Sequence, residues 1–168
     1  ASWLLRGNPN PPPMGTTRQR QVLGYYMADA RGASYESLQS NHELIDSVAI
    51  WSYMINEHGQ LSGQSSAKVL DLAGRQGQQT LALIHNHQGT IFDGEMITKL
   101  LTNPHNRRQA INNIYDLLLR WGYSGVNIDW ENIPANQKNN LSTFMAELAA
   151  KLRPAGLLVT MSVPAKTS

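Results

Sequence analysis

One stretch of the chain, Ser124-Gly125-Val126-Asn127-Ile128-Asp129-Trp130-Glu131-Asn132-Ile133-Pro134, constrains the fold more than any other. Val126, Ile128 and Trp130 alternate with Asn127, Asp129 and Glu131. Successive side chains of a strand point to opposite faces, so the pattern predicts one apolar face and one face with an amide and two carboxylates. Burying such groups on an apolar strand is costly unless each is paired or used. Pro134 has no N–H to give to a ladder and predicts the end of the stretch.

Around it, apolar runs at 22–27, 47–55, 80–87 and 157–164 predict four further strands. The segments between them carry helical spacing. A weak pattern covers 34–45, and Val69, Leu70, Leu72 and Ala73 predict a helix over 66–76. A short helix is expected over 93–101. After the break at Asn103-Pro104, Asn106 is the expected cap of a helix over 107–121. Ala110, Ile111, Ile114, Leu117, Leu118 and Trp121 form its stripe, and Gly122 is its stop. Leu141, Phe144, Met145, Leu148 and Leu152 predict another over 137–152, ended by Pro154 and Gly156.

Strands alternating with helices predict an α/β fold with a parallel sheet and right-handed crossovers. Neither G-x-G-x-x-G nor a P-loop follows the first strand, which argues against a nucleotide-binding doubly wound sheet. Acids at the C-terminal end of a strand suit a (β/α)8 TIM barrel, whose active sites lie at that end. Such a barrel needs about 250 residues, and this chain has 168. The expectation is therefore the N-terminal part of a barrel, about five β/α units, over 21–168. Asn8-Pro9-Asn10-Pro11-Pro12-Pro13 marks residues 1–20 as a Pro-rich linker.

Net charge is +2 and the 14 basic residues are dispersed, so no nucleic-acid partner is expected. No apolar run approaches the roughly 20 residues of a membrane span, and Ala-Ser-Trp-Leu-Leu-Arg at the start does not read as a signal peptide. Cysteine is absent, which excludes disulfides and thiolate metal sites. His85 and His87 share a strand face at a spacing that suits a metal. No third ligand is evident, so a hydrogen-bonding role for Asn86 or a histidine at a cleft rim is favoured, and no metal or cofactor is expected. The His-Asn-His triplet is too short to signal a nuclease.

The central stretch resembles the signature of glycoside hydrolase family 18, the chitinase family. That family carries D-G-x-D-x-D-x-E at the end of its fourth barrel strand; this chain has S-G-V-N-I-D-W-E. Gly125, Asp129 and Glu131 match, and Ser124 and Asn127 replace two acids. Asn at the second of these positions, followed by E-N-I-P, is similar to the branch linked to bacterial spores and peptidoglycan. The opening G-Y-Y at 24–26, the segment N-P-H-N-R-R-Q-A-I-N-N-I and the closing V-T-M-S-V-P-A-K extend the resemblance over most of 22–166.

The resemblance implies a retaining hydrolase of N-acetylglucosaminyl bonds with no enzymic nucleophile. Glu131 is the implied acid/base, and Asp129 the group that orients the substrate's own 2-acetamido oxygen. Asn127 completes the catalytic set and is expected to hold Asp129 by a hydrogen bond. Tyr26, Tyr53, Asn86 and Trp130 are the candidate sugar-contacting groups. The partner is then an N-acetylglucosamine-containing polysaccharide, and the setting a secreted, cell-wall or spore-associated one in a bacterium. The family also draws a tyrosine from strand six and a tryptophan from strand eight, beyond the five strands here. Open sheet edges could drive self-association. The alternative is a non-catalytic, lectin-like fragment that binds chitin or peptidoglycan.

Overall fold

Five of the apolar runs pair into one parallel sheet. In the computed structural model, which describes residues 21–28 and 31–163, the strands are β1 (Leu23–Tyr26), β2 (Ser47–Ile55), β3 (Leu61–Gly63), β4 (Gln79–His85), β5 (His87–Gln88), β6 (Ile91–Phe92), β7 (Gly125–Asp129) and β8 (Leu158–Met161). The helices are α1 (Ala33–Ser40), α2 (Ala67–Arg75), α3 (Gly94–Thr102), α4 (Pro104–Trp121) and α5 (Lys138–Leu152). The sheet order is β1-β2-β4-β7-β8, all neighbours parallel, with β3 added antiparallel to β2. The residues proposed as a linker, 1–20, and the end of the last apolar run at Pro164 lie outside the described residues.

Alternation sorts the side chains into two layers. Val48, Ile50, Ala82, Ile84, Val126 and Ile128 face the helices and share a core with Leu100, Leu101, Ile114, Leu118, Phe144 and Leu148. On the other face, Ala49, Leu81 and Leu83 pack with Leu23 and Trp51. That face is strongly curled. In a flat sheet β1 and β8 would stand about 19 Å apart, at roughly 4.8 Å per strand. Yet the hydroxyl of Tyr25 on β1 lies 3.0 Å from Ser162 Oγ, just past β8. No closed barrel is formed: among the described residues β1 and β8 each pair on one side only.

Helix starts follow their caps. Ser66 accepts from Val69 N–H, and Asp93 from Met96 N–H at 2.9 Å. The longest helix departs from expectation. Asn103, not Asn106, caps α4, accepting from His105 and Asn106 N–H, and Pro104 occupies the first turn, where its missing N–H costs nothing. Asn106 instead donates to Glu57 O at 2.8 Å and holds the turn after β2. α1 is shorter than predicted because Asn41 Nδ2 bonds back to Ser37 O at 3.0 Å, after which the chain makes a separate short turn. The two small additions, β3 and the β5–β6 hairpin, were too short for periodicity to show.

α4 and α5 are joined by Arg107, whose guanidinium meets Glu147 at 3.0 Å and Leu101 O at 2.8 Å. Under them, Phe144 is fully buried against Trp130. Truncation of Phe144 to Ala leaves a cavity beneath the end of β7. It is expected to cost about 3–5 kcal/mol of stability, read as a lower urea midpoint with an unchanged m-value.

Candidate active site

The C-terminal end of β7 is where polar groups gather on the curled face. Gly125 begins the strand because a Cβ there would run into the backbone and side chain of Leu158 on β8. Asn127 is next on that face, opposite Leu83 on β4 and Thr160 on β8. Asp129 follows, opposite His85. Glu131 stands just beyond the strand. Asp129 and Glu131 are half-buried and line one cavity of about 120 Å³ with Ser162 and Val163. A larger cavity of about 500 Å³ lies against β3 and α4, lined by Tyr53, Gln60, Arg120 and Trp121. It is remote from both acids, so chemistry and not size locates the site.

Asn127 is fully buried and does not hold Asp129 as expected. Residues i and i+2 of a strand are about 6.6 Å apart, so its amide reaches sideways instead. Nδ2 donates to Thr160 Oγ1 at 2.9 Å, and Oδ1 accepts from Ser162 Oγ at 2.9 Å. Thr160 Oγ1 in turn donates to Val126 O at 3.2 Å. The single Ser162 proton has a second acceptor in the Asp129 carboxylate. Tyr25 can donate to Ser162 and so completes a chain across three strands. Burial raises the Asp129 pKa above the ordinary 3.8, and the Ser162 hydrogen bond opposes that shift.

Glu131 is placed through its backbone. Its N–H donates to Asn86 Oδ1 at 3.0 Å, and its carbonyl accepts from Asn86 Nδ2 at 2.9 Å. The same Nδ2 donates to Asp93 O at 3.1 Å, and Asp93 N–H returns to Asn86 O at 2.9 Å. Asn132, at a positive φ of 57°, donates to Phe92 O at 3.2 Å. Gly94 opens α3 directly beneath this turn, and any Cβ there would overlap Asn132 O. The exit of β4 and the start of α3 thus clamp the residue after the strand.

Four candidate sugar-contacting groups are placed otherwise than the sequence suggested. Asn86 is fully buried and its amide is fully used by the clamp, so it positions Glu131. Tyr26 packs on the helix-side core; Tyr25 is the tyrosine on the acid-bearing face. Tyr53 is buried on the helix side, where its hydroxyl bonds Ser65, which in turn bonds Tyr123 at 3.0 Å. Trp130 is buried against Phe144, and its indole N–H has no partner among the described residues. Sequence reasoning missed Ser162, Thr160 and Trp51. Their signal was present as period-two spacing from Leu158 and from Ala49, but no motif marked it.

A parallel α/β sheet that carries two carboxylates at the C-terminal end of an inner strand is an arrangement shared by many carbohydrate-cleaving enzymes. The family comparison is specific: the profile described as glycosyl hydrolases family 18 matches residues 21–168. The chain belongs to that family. It is 31% identical over 148 residues to YdhD of Bacillus subtilis, which bears the name of a sporulation-specific glycosylase, covering 88% of this chain and 35% of that protein. YvbX of the same organism, named as an uncharacterized glycosylase, is 27% identical and is covered over 43% of its length. Among solved structures, the spore cortex-lytic enzyme SleL of Bacillus cereus superposes with a TM-score of 0.78 at 15% identity, covering 85% of this chain and 35% of that one. The Chromobacterium violaceum chitinase gives 0.79 at 23%, covering 88% and 47%. The chain spans less than half the length of these relatives.

Two outcomes check this geometry. Asn86→Ala leaves the Glu131 N–H and carbonyl without their partner, at about 1–3 kcal/mol for each buried group left unsatisfied, so the melting temperature should fall. The sign for Asp129 also follows. A carboxyl whose folded pKa is raised loses stability as pH climbs from 3.8 through the folded value. Asp129→Asn is therefore expected to melt higher than the wild type at pH 7, with the gap closing as the pH falls through the raised folded value and gone below 3.8.

Proposed function

We propose that the protein is a glycoside hydrolase cleaving N-acetylglucosaminyl bonds in peptidoglycan or spore cortex fragments. The sheet is read as the first five strands of a (β/α)8 barrel. The observation that carries the function is the shared cavity of Asp129 and Glu131 at the C-terminal end of β7. Family membership and the names of YdhD and SleL support a cell-wall or spore-associated setting. No helix among the described residues is long and apolar enough to cross a membrane.

In this mechanism the Glu131 carboxyl gives its proton to the glycosidic oxygen as the C1–O bond breaks. The acetamido carbonyl oxygen of the same sugar attacks C1 from the opposite side, and a cyclic oxazolinium forms. Asp129 faces the acetamido N–H and stabilises the positive charge that grows on it. The half-buried setting of Asp129 strengthens that interaction by lowering the local dielectric. Glu131, now a carboxylate, removes a proton from water, whose oxygen adds to C1 and reopens the ring. The two inversions give net retention. Ser162 bonds Asp129 at the lower end of the site, and Asn127 and Tyr25 position Ser162.

The test is release of reducing ends from muramidase-digested peptidoglycan and from chitin oligomers. Glu131→Gln is expected to lower kcat by about 10²–10⁴-fold, the usual worth of a general acid. Equal activity in variant and wild type would remove Glu131 from the mechanism. Sugar binding without turnover in the wild type would replace hydrolysis with a lectin-like role.

A further inference from the structure

The cavity of about 500 Å³ between β3 and α4 takes no part in the mechanism. It lies on the helix side of the sheet, where Tyr53 forms part of its wall. Leu61 and Gly63 border it from β3, and Asp116, Arg120 and Trp121 border it from α4. Trp121 is 40% exposed, an apolar surface left open beside charged groups.

The outer edge of β3 is unpaired. β3 bonds β2 alone, and the hairpin between them is closed by Asn56 N–H donating to Gln60 O at 3.1 Å. In an antiparallel ladder, bonded and non-bonded pairs alternate. Counting from Asn56–Gln60, the pair Ile55–Leu61 is non-bonded, Met54–Ser62 bonded and Tyr53–Gly63 non-bonded. The N–H and C=O of Leu61 and Gly63 therefore point away from β2. Neither residue's backbone bonds any group outside the ladder among the described residues. Such an edge is a template for an added strand.

Two charges stand along the same cavity. Asp116 and Arg120 are four residues apart, the spacing at which a helix brings opposite charges together. On α2 the same spacing does so, and Asp71 and Arg75 meet at 2.7 Å. Asp116 and Arg120 do not meet. Neither has an ion pair or a side-chain hydrogen bond among the described residues, and both are exposed. Separate negative and positive groups in one cavity complement a ligand that carries both an ammonium and a carboxylate. A ligand of one sign only is opposed by one of them, and a neutral sugar uses neither.

We propose that this cavity binds a short peptide with free ammonium and carboxylate groups, added in extended form to the edge of β3. Leu61 and Gly63 supply main-chain bonds, Asp116 receives the ammonium, Arg120 receives the carboxylate, and Trp121 covers an apolar side chain. The site lies on the opposite face of the sheet from Asp129 and Glu131, so it holds a peptide separately from the sugar under cleavage. The proposal rests on the hydrolase reading only for the source of the ligand: the peptide stems of peptidoglycan carry both groups.

The test uses the wild-type chain and the free stem peptide L-alanyl-γ-D-glutamyl-L-lysyl-D-alanine, which has no glycosidic bond to cleave. In ¹H–¹⁵N spectra recorded during its titration, the Leu61 and Gly63 amides and the Trp121 indole N–H should shift with one shared Kd. Asp116→Asn and Arg120→Gln should each weaken that Kd about two- to fivefold, as loss of a solvent-exposed ion pair does. Acetylating the peptide's amines and amidating its carboxyls should cost on the order of tenfold. Matching urea midpoints establish that the variants are folded, as their exposed positions predict. Unchanged affinity in both charge variants or for the blocked peptide would overturn the proposal, as would shifts confined to other residues or no shift at all. If the N-acetylglucosamine tetramer moved these signals more strongly than the peptide, the cavity would be a sugar site instead. Peptide binding here by a chain that hydrolyses no glycan would uphold the site and sink the hydrolase reading.

Discussion

The placement of Asp129 is the constraint from which much of the structure follows. A carboxylate half-buried at the end of an apolar strand is costly unless neighbouring groups compensate for lost water. The compensation comes from the adjacent strands. Thr160 and Ser162 occupy alternate positions of β8 and the residues after it, opposite the alternate polar positions of β7. Tyr25 closes the network from the far edge of the sheet. The curl that brings Tyr25 within reach is therefore a condition for the polar set as much as a feature of shape.

The two acids are held by different means. Asp129 is governed by its burial, which raises its pKa, and by one side-chain hydroxyl that opposes the shift. Glu131 is governed by main-chain bonds to a single buried amide. That division suits their chemistry. A group that must bind a developing charge gains from a tuned, poorly hydrated setting. A group that gives up and takes back a proton needs a fixed attachment and a side chain left clear of other bonds.

Much of this was legible in the sequence. The alternation across Val126–Glu131 placed Asp129 and Glu131 on one face, and the order of elements gave the parallel sheet. What failed was the choice of face elsewhere. Gly24-Tyr25-Tyr26 offers one tyrosine to each side, and period two alone does not say which side is which. Counting by twos from Trp51 puts Tyr53 on the same face, but the register shifts between Trp51 and Tyr53, and the extra residue turns Tyr53 towards the helices. Trp130 belonged to the apolar set by its own alternation, and burial against Phe144 agrees with that. Asn86 could be seen as a strand-end amide, but not that its partners were the backbone atoms of a residue 45 positions on.

The contact between Tyr25 and Ser162 spans 137 residues of chain. Closing a contact so remote in sequence costs loop entropy that the other contacts of the fold must offset. The helix–strand units can each gather locally, but the polar chain behind Asp129 completes only when the first and last strands have both taken their places. The site is thus a record of finished folding: a chain that has made its sheet but not curled it has two acids in sequence and no organised pair in space.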